Sequence, residues 1–129
     1  MSMDEIKGST VFVVDDNVEN LRVLVSYLKE LKLTVVPVRS GEEILELVRK
    51  RTPDIILLDI MMPPGMDGYE TCLKLKAMDA ARDVPVIFMS ALNETVDKVK
   101  GFNSGAVDYI SKPFEPEELF ARVKTHVLI

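Results

Sequence analysis

The chain has 129 residues, 47% of them hydrophobic, which is enough for one domain with its own core. Its formal net charge of −5 argues against direct nucleic-acid binding, because neutralising phosphates requires a basic face. The single cysteine, Cys72, excludes an internal disulfide, and no apolar run reaches the roughly 20 residues needed to cross a bilayer. We therefore expect a soluble, cytoplasmic protein without membrane or direct nucleic-acid contact.

The first eight residues differ in character from the rest of the chain. Residues 1–8 lack the apolar stretch of a secretory signal, and we interpret them as a flexible N-terminal end or a cloning remnant. Residues 9–129 contain no linker, sequence repeat or low-complexity tract. They are predicted to form one domain.

Short apolar runs alternate along this domain with longer stretches of helical periodicity. That alternation is typical of a parallel sheet flanked by helices, and continuous apolar runs indicate strands buried on both faces. The predicted strands are Thr10 to Val14, Leu33 to Val38, Asp54 to Leu58, Val84 to Met89 and Val107 to Ile110.

Helices are predicted after each of these strands. Ser40 and Glu43 form a capping-box signature, and Asn17 and Asn93 are expected to cap the first and fourth helices. The first predicted helix follows Asn17. The other four run from Ser40 to about Arg51, from about Tyr69 to Met78, from Asn93 through Phe102, and from Glu115 to Val127.

Polar side chains fall at the ends of four of the predicted strands. In an open parallel α/β sheet, ligands bind in the crevice outside the carboxyl ends of the strands. We therefore expect these side chains to converge on one rim: Asp15, Asp16, Asp59, Ser90 and Lys112.

This set of side chains is suited to a metal ion and a phosphoryl group. Three neighbouring carboxylates repel one another unless they bind a hard cation or stay partly protonated, and Mg²⁺ prefers oxygen ligands together with a phosphate. Lys112 and Ser90 are natural partners for phosphate oxygens. Taken singly, each aspartate would be a turn former or helix cap, and Lys112 a solvated lysine; the joint pattern favours the site.

Four motifs together strongly resemble the receiver domain of two-component response regulators. They are Val-Val-Asp15-Asp16-Asn, Leu-Leu-Asp59-Ile-Met-Met-Pro, Met-Ser90-Ala and Tyr109-Ile-Ser-Lys112-Pro113-Phe114. The resemblance covers nearly the whole chain and assigns residues 9–129 to a receiver domain. It implies a flavodoxin-like α/β fold, a doubly wound five-stranded parallel sheet in the order 2-1-3-4-5 with five flanking helices.

The resemblance also implies a chemistry. Asp59 would be the phosphoacceptor, taking a phosphoryl group from a histidine kinase or phosphotransfer protein. Mg²⁺ would be bound directly by Asp16 and Asp59, largely through water by Asp15, and by the main-chain carbonyl of Met61.

Regulation is implied by the same resemblance. Lys112 and Ser90 would hold the phosphoryl oxygens, and movements of Ser90 and Tyr109 would change the face formed by the fourth helix, fifth strand and fifth helix. We expect a regulatory domain with weak autophosphatase activity rather than an enzyme. Phosphorylation-dependent homodimerisation through the face near Tyr109, and an output or kinase domain attached in a longer protein, are also expected.

One feature departs from the family pattern. The family commonly places Asp-Gly seven and eight residues after the acceptor, whereas Asp67 and Gly68 lie eight and nine residues after Asp59. Met61 precedes the extra residue, so its metal ligation should survive. We expect an ordered, proline-stiffened loop.

Two other functions remain as alternatives. A pseudo-receiver would keep the fold as an interaction module without accepting phosphate, but Asp59, Asp16 and Lys112 are all present. A magnesium-dependent phosphohydrolase with an aspartate nucleophile usually carries an acid two residues beyond that nucleophile, where this chain has Met61.

Overall fold

The computed structural model describes residues 3–91 and 98–128. Within them, five parallel strands form one sheet in the order β2-β1-β3-β4-β5, which confirms the predicted fold class. The strands are β1 (Thr10–Val14), β2 (Thr34–Val38), β3 (Ile55–Asp59), β4 (Val86–Ala91) and β5 (Asp108–Lys112).

Five α-helices and a short 3-10 helix (Met3–Ile6) accompany the sheet in the described ranges. Two predicted caps are confirmed, because the Asn17 and Ser40 side chains accept hydrogen bonds from the first turns of their helices. The predicted cap Asn93 lies outside the described residues. The helices are α1 (Val18–Lys29), α2 (Gly41–Lys50), α3 (Gly68–Lys76), α4 (Lys98–Asn103) and α5 (Pro116–Leu128).

The sheet is buried on both faces, as continuous apolar strands require. Phe12, Ile56 and Phe88 point to one face and join a cluster with residues of α2 and α3. The residues between them, such as Leu57 and Ile87, point to the other face and pack with α1 and α5. Each fully buried aliphatic or aromatic side chain stabilises the fold by about 1.5–3 kcal/mol.

The strands run further toward the carboxyl edge than predicted. β4 begins at Val86 rather than Val84 because Pro85 has no N–H, and Pro85 contributes only its carbonyl, which accepts from Ile56. β3 and β5 end at Asp59 and Lys112 instead of before them. These two residues are therefore fixed in the sheet itself.

The N-terminal residues differ from the expected loose end. Ile6 is fully buried in the core cluster that also contains residues of α1 and α5. The N–H of Gly8 donates to the Lys32 carbonyl at 2.9 Å, which ties this segment to the start of β2. None of the helices described in residues 3–91 and 98–128 has the length and apolarity needed to span a bilayer.

Candidate functional site

Three carboxylates meet at the carboxyl edge of the sheet. Ligand oxygens of Asp15, Asp16 and Asp59 all lie within 4.8 Å of one another. β1 and β3 are adjacent, with Val14 opposite Leu58, so the residues that follow these positions are brought side by side. Asp15 is fully buried, Asp59 is 2% exposed, and Asp16 is the most exposed of the three. The cluster therefore has a buried floor and one accessible acid.

Lys112 brings a positive charge to this cluster from β5. Its Nζ lies 3.1 Å from Oδ2 of Asp15 and 3.2 Å from Oδ1 of Asp59. The lysine side chain is only 15% exposed, so water screens these contacts less than it would at the surface. The peptide bond that follows, Lys112–Pro113, is cis.

The single positive charge of Lys112 does not neutralise the three carboxylates of the cluster. Burial, and next the charge of Asp15, raise the pKa of Asp59 from 3.8 to about 7, even though Lys112 acts in the opposite direction. Burial alone would lower the pKa of Lys112, but the charges of Asp59 and Asp15 raise it above its ordinary value. Lys112 thus stays protonated while the site retains surplus negative charge, which a cation would neutralise.

The donor set suits a hard cation. Oδ1 of Asp15 accepts a hydrogen bond from the N–H of Asn17 at 2.9 Å, whereas Oδ2 has no partner among the described residues apart from its ion pair with Lys112. The N–H of Met61 donates to Oδ1 of Asp59 over a long 3.4 Å. Carboxylate oxygens with unused lone pairs, one of them buried, match the all-oxygen chemistry of Mg²⁺.

Ser90 lies at the same edge as the cluster. Met89 is the register partner of Asp59, and Ser90 follows it on β4 with 4% of its surface exposed. Tyr109 lies further from the rim, on β5, and is half-buried. The structure thus places the acids, Lys112 and Ser90 at one edge and Tyr109 beneath it.

The loop that carries the extra residue is held at its far end. The N–H of Met66 donates to Oε1 of Glu42 at 3.2 Å, and the N–H of Gly68 donates to the Ile60 carbonyl at 2.7 Å. A Cβ on Gly68 would lie 2.4 Å from the Asp59 carbonyl oxygen, so only glycine permits this close approach of α3 to β3. The Pro63–Pro64 peptide bond is cis.

Sequence reasoning missed Glu42, whose contact with Met66 spans 24 residues. An exposed glutamate in the first turn of a helix is ordinarily explained by the helix dipole, so no local signal distinguished this one.

Comparison with known proteins identifies the family. The profile of the family described as "Response regulator receiver domain" matches residues 11–124. This chain belongs to that family. The match spans the acid cluster, Ser90, Tyr109 and Lys112.

Individual relatives agree with this assignment. The receiver domain is 41% identical over 118 residues to the response regulator PleD of Caulobacter vibrioides, covering 92% of this chain and 26% of PleD. It spans about half, or less, of the length of the curated relatives that it matches.

Solved structures show the same fold. The receiver domain of the sensor histidine kinase PA1611 from Pseudomonas aeruginosa PAO1, described with a magnesium ion coordinated in its active-site cleft, has a TM-score of 0.86 and 28% identity, covering 95% of this chain and 99% of that one. The receiver domain of a signal transduction histidine kinase from Syntrophus aciditrophicus has a TM-score of 0.84 and 31% identity, covering 94% and 91%.

Proposed function

We propose that Asp59 accepts a phosphoryl group from a phosphohistidine on a histidine kinase or phosphotransfer protein, with Mg²⁺ as cofactor. The observation that carries this proposal is the position of the buried Asp59 carboxylate. Its Oδ1 lies 3.2 Å from Nζ of Lys112, and the carboxylate belongs to the cluster with Asp15 and Asp16 in which ligand oxygens lie within 4.8 Å of one another. The raised pKa of Asp59 supports the need for added positive charge before the carboxylate can act as a nucleophile.

The transfer exchanges one bond to phosphorus for another. A carboxylate oxygen of Asp59 attacks the phosphorus, the P–O bond forms as the P–N bond to the donor imidazole breaks, and the product is an acyl phosphate. Lys112 neutralises charge on the equatorial oxygens, and the Ser90 hydroxyl donates to one of them. Little covalent work is left to the protein beyond positioning.

Magnesium would be held by this chain's oxygen atoms. Asp16, the most exposed of the three acids, would bind the ion directly together with Asp59. The buried Asp15 would act through a water molecule on its Oδ2, and the Met61 carbonyl would complete the protein ligands. The ion, when bound, neutralises the acids and the transferring phosphoryl group. The magnesium described in the cleft of the PA1611 receiver domain supports this assignment.

The face formed by α4, β5 and α5 is proposed to change on phosphorylation and so control the output. Ser90 would move toward the phosphoryl group and Tyr109 would follow, changing that face. Val99 on α4 is 71% exposed and Phe102 is 51% exposed, which supports weak homodimerisation there on phosphorylation. An output or kinase domain attached in a longer protein is supported by the partial coverage of the relatives.

Intact mass after incubation with Mg²⁺ and acetyl phosphate tests the proposal. We expect a phosphoryl adduct that requires Mg²⁺, disappears in Asp59→Asn and decays slowly through weak autophosphatase activity. Asp83→Asn, an exposed aspartate away from the rim, is the matched control and should keep the adduct. No adduct under conditions that modify another receiver domain would make this chain a pseudo-receiver. Sedimentation that does not change on phosphorylation would refute the dimer.

A further inference from the structure

Tyr109 lies directly against a glycine of α4. A Cβ built on Gly101 would fall 1.7 Å from Oη of Tyr109 and 2.7 Å from Cζ, well inside the closest approach of real atoms. The backbone of Gly101 is not in the left-handed region, so its conformation does not require glycine. Glycine is required because the phenol of Tyr109 occupies the space that a side chain at position 101 would need.

Two aromatic rings also pack against Tyr109. The ring centroids of Phe88 and Phe102 each lie 5.5 Å from that of Tyr109, and Cδ2 of Phe88 would be 3.2 Å from the same Cβ. Glycine is a much weaker helix former than alanine. This chain therefore places a helix-weakening residue where any side chain would meet Tyr109.

We propose that Gly101 is the positioning residue that admits Tyr109 beneath α4 and so determines how readily the domain responds to phosphorylation. The inference rests on the proposed function. Phe88 and Tyr109 are register partners on β4 and β5, and Ser90 lies two residues beyond Phe88 on the same face of the sheet. Ser90, which would move toward a phosphoryl group, therefore lies on the strand next to Tyr109 and two residues beyond its register partner.

Adding one methyl group should expel the ring. Gly101→Ala leaves α4 with a better helix former but removes the space that the phenol occupies, so Tyr109 turns outward. Overpacking of this kind shifts an equilibrium by about tenfold or more. The affinity for beryllofluoride, which mimics the phosphoryl group on Asp59, should fall by a similar factor because the inward ring no longer accompanies the ligand.

Fluorine NMR of protein labelled with 3-fluorotyrosine separates ring position from ligand binding. The chain has three tyrosines, and Tyr109→Phe assigns the relevant signal. In the unliganded protein, Gly101→Ala should move the Tyr109 signal to the position of an exposed ring. Asn103→Ala, an exposed substitution that also raises helix propensity in α4, is the matched control and should leave it in place.

A second background guards against a general loss of folding. Tyr109→Phe removes the atom that would clash most closely, so Gly101→Ala should lower beryllofluoride affinity less in that background than in the wild type. A shifted signal, reduced affinity and partial rescue by Tyr109→Phe would support the inference.

Other results would overturn it. An unmoved Tyr109 signal in Gly101→Ala, or a moved signal with unchanged beryllofluoride affinity, refutes the assigned role while the proposed function stands. Equal losses of affinity in both backgrounds refute it too. Failure of the wild type to bind beryllofluoride refutes the proposed function instead, and the signal in the unliganded protein still decides whether Gly101 positions the ring.

Discussion

Removing the charge of Asp59 should stabilise the fold. Its pKa rises from 3.8 to about 7 in the folded domain, and each pKa unit corresponds to about 1.4 kcal/mol, so the buried charge costs about 4 kcal/mol above pH 7. Because the folded state holds this proton more tightly than the unfolded state, stability is greatest below pH 4 and falls as pH rises to about 7. Asp59→Asn should therefore raise the free energy of unfolding by up to about 4 kcal/mol at pH 8, and by less than about 2 kcal/mol at pH 5.

Urea unfolding followed by circular dichroism, without divalent ions, measures this difference. Asp83→Asn is the surface control and should change the free energy of unfolding by less than about 0.5 kcal/mol at either pH. Adding Mg²⁺ at one hundred times its dissociation constant should stabilise the wild type by about 2.7 kcal/mol and Asp59→Asn by less, and so narrow the difference in free energy of unfolding between them. An Asp59→Asn variant that is no more stable than the wild type at pH 8, or equally stabilised at pH 5 and pH 8, would refute the reasoning.

Three further substitutions probe the surrounding contacts. Lys112→Met should lower the free energy of unfolding by about 3 kcal/mol at pH 8, because two buried carboxylates lose their cation, and by less at pH 5; equal losses in urea at both pH values would contradict this. Burial alone would raise the pKa of Asp108, but hydrogen bonds from Arg122 and His126 hold it below its ordinary value, so Asp108→Asn should cost about 1–3 kcal/mol at pH 7. That cost should shrink in acid as the wild-type carboxylate becomes protonated, and a constant cost from pH 7 to pH 3 would be inconsistent with an ionic contact. Gly68→Ala forces a Cβ against backbone atoms of β3 and should lower the free energy of unfolding by about 1–3 kcal/mol, measurable as a drop in Tm. An unchanged Tm would show that the loop before α3 can move to accommodate the methyl group.

Sequence periodicity was sufficient to predict the fold class and the order of helices and strands along the chain because local and global signals agree. Continuous apolar runs such as that of β3 indicate strands buried on both faces, and the Asn17 and Ser40 caps mark helix starts locally. The strand order was an implication of the family resemblance, since pairing between distant strands leaves no local trace. The packing of Ile6 was missed because a single apolar residue near the end of a chain carries no periodic signal.

The candidate site was predictable for a geometric reason. Parallel strands end at one edge, and the strand order implied by the resemblance makes β1 and β3 neighbours, so the acids at their ends were expected to approach each other, with Lys112 at the end of β5 completing the charge pattern. The space that Gly101 leaves for Tyr109 could not be predicted, because it depends on how closely α4 approaches β5. Long-range side-chain contacts of this kind are properties of the packed structure.

The most direct test of the central claim is to locate the phosphoryl group. An acyl phosphate is reduced by borohydride to an alcohol, so treating the phosphorylated protein and sequencing its peptides by mass spectrometry identifies the modified carboxylate. We expect homoserine at position 59 only after incubation with both Mg²⁺ and the phosphodonor. Homoserine at Asp15 or Asp16, or none at any position, would contradict the assignment of Asp59 as the phosphoacceptor.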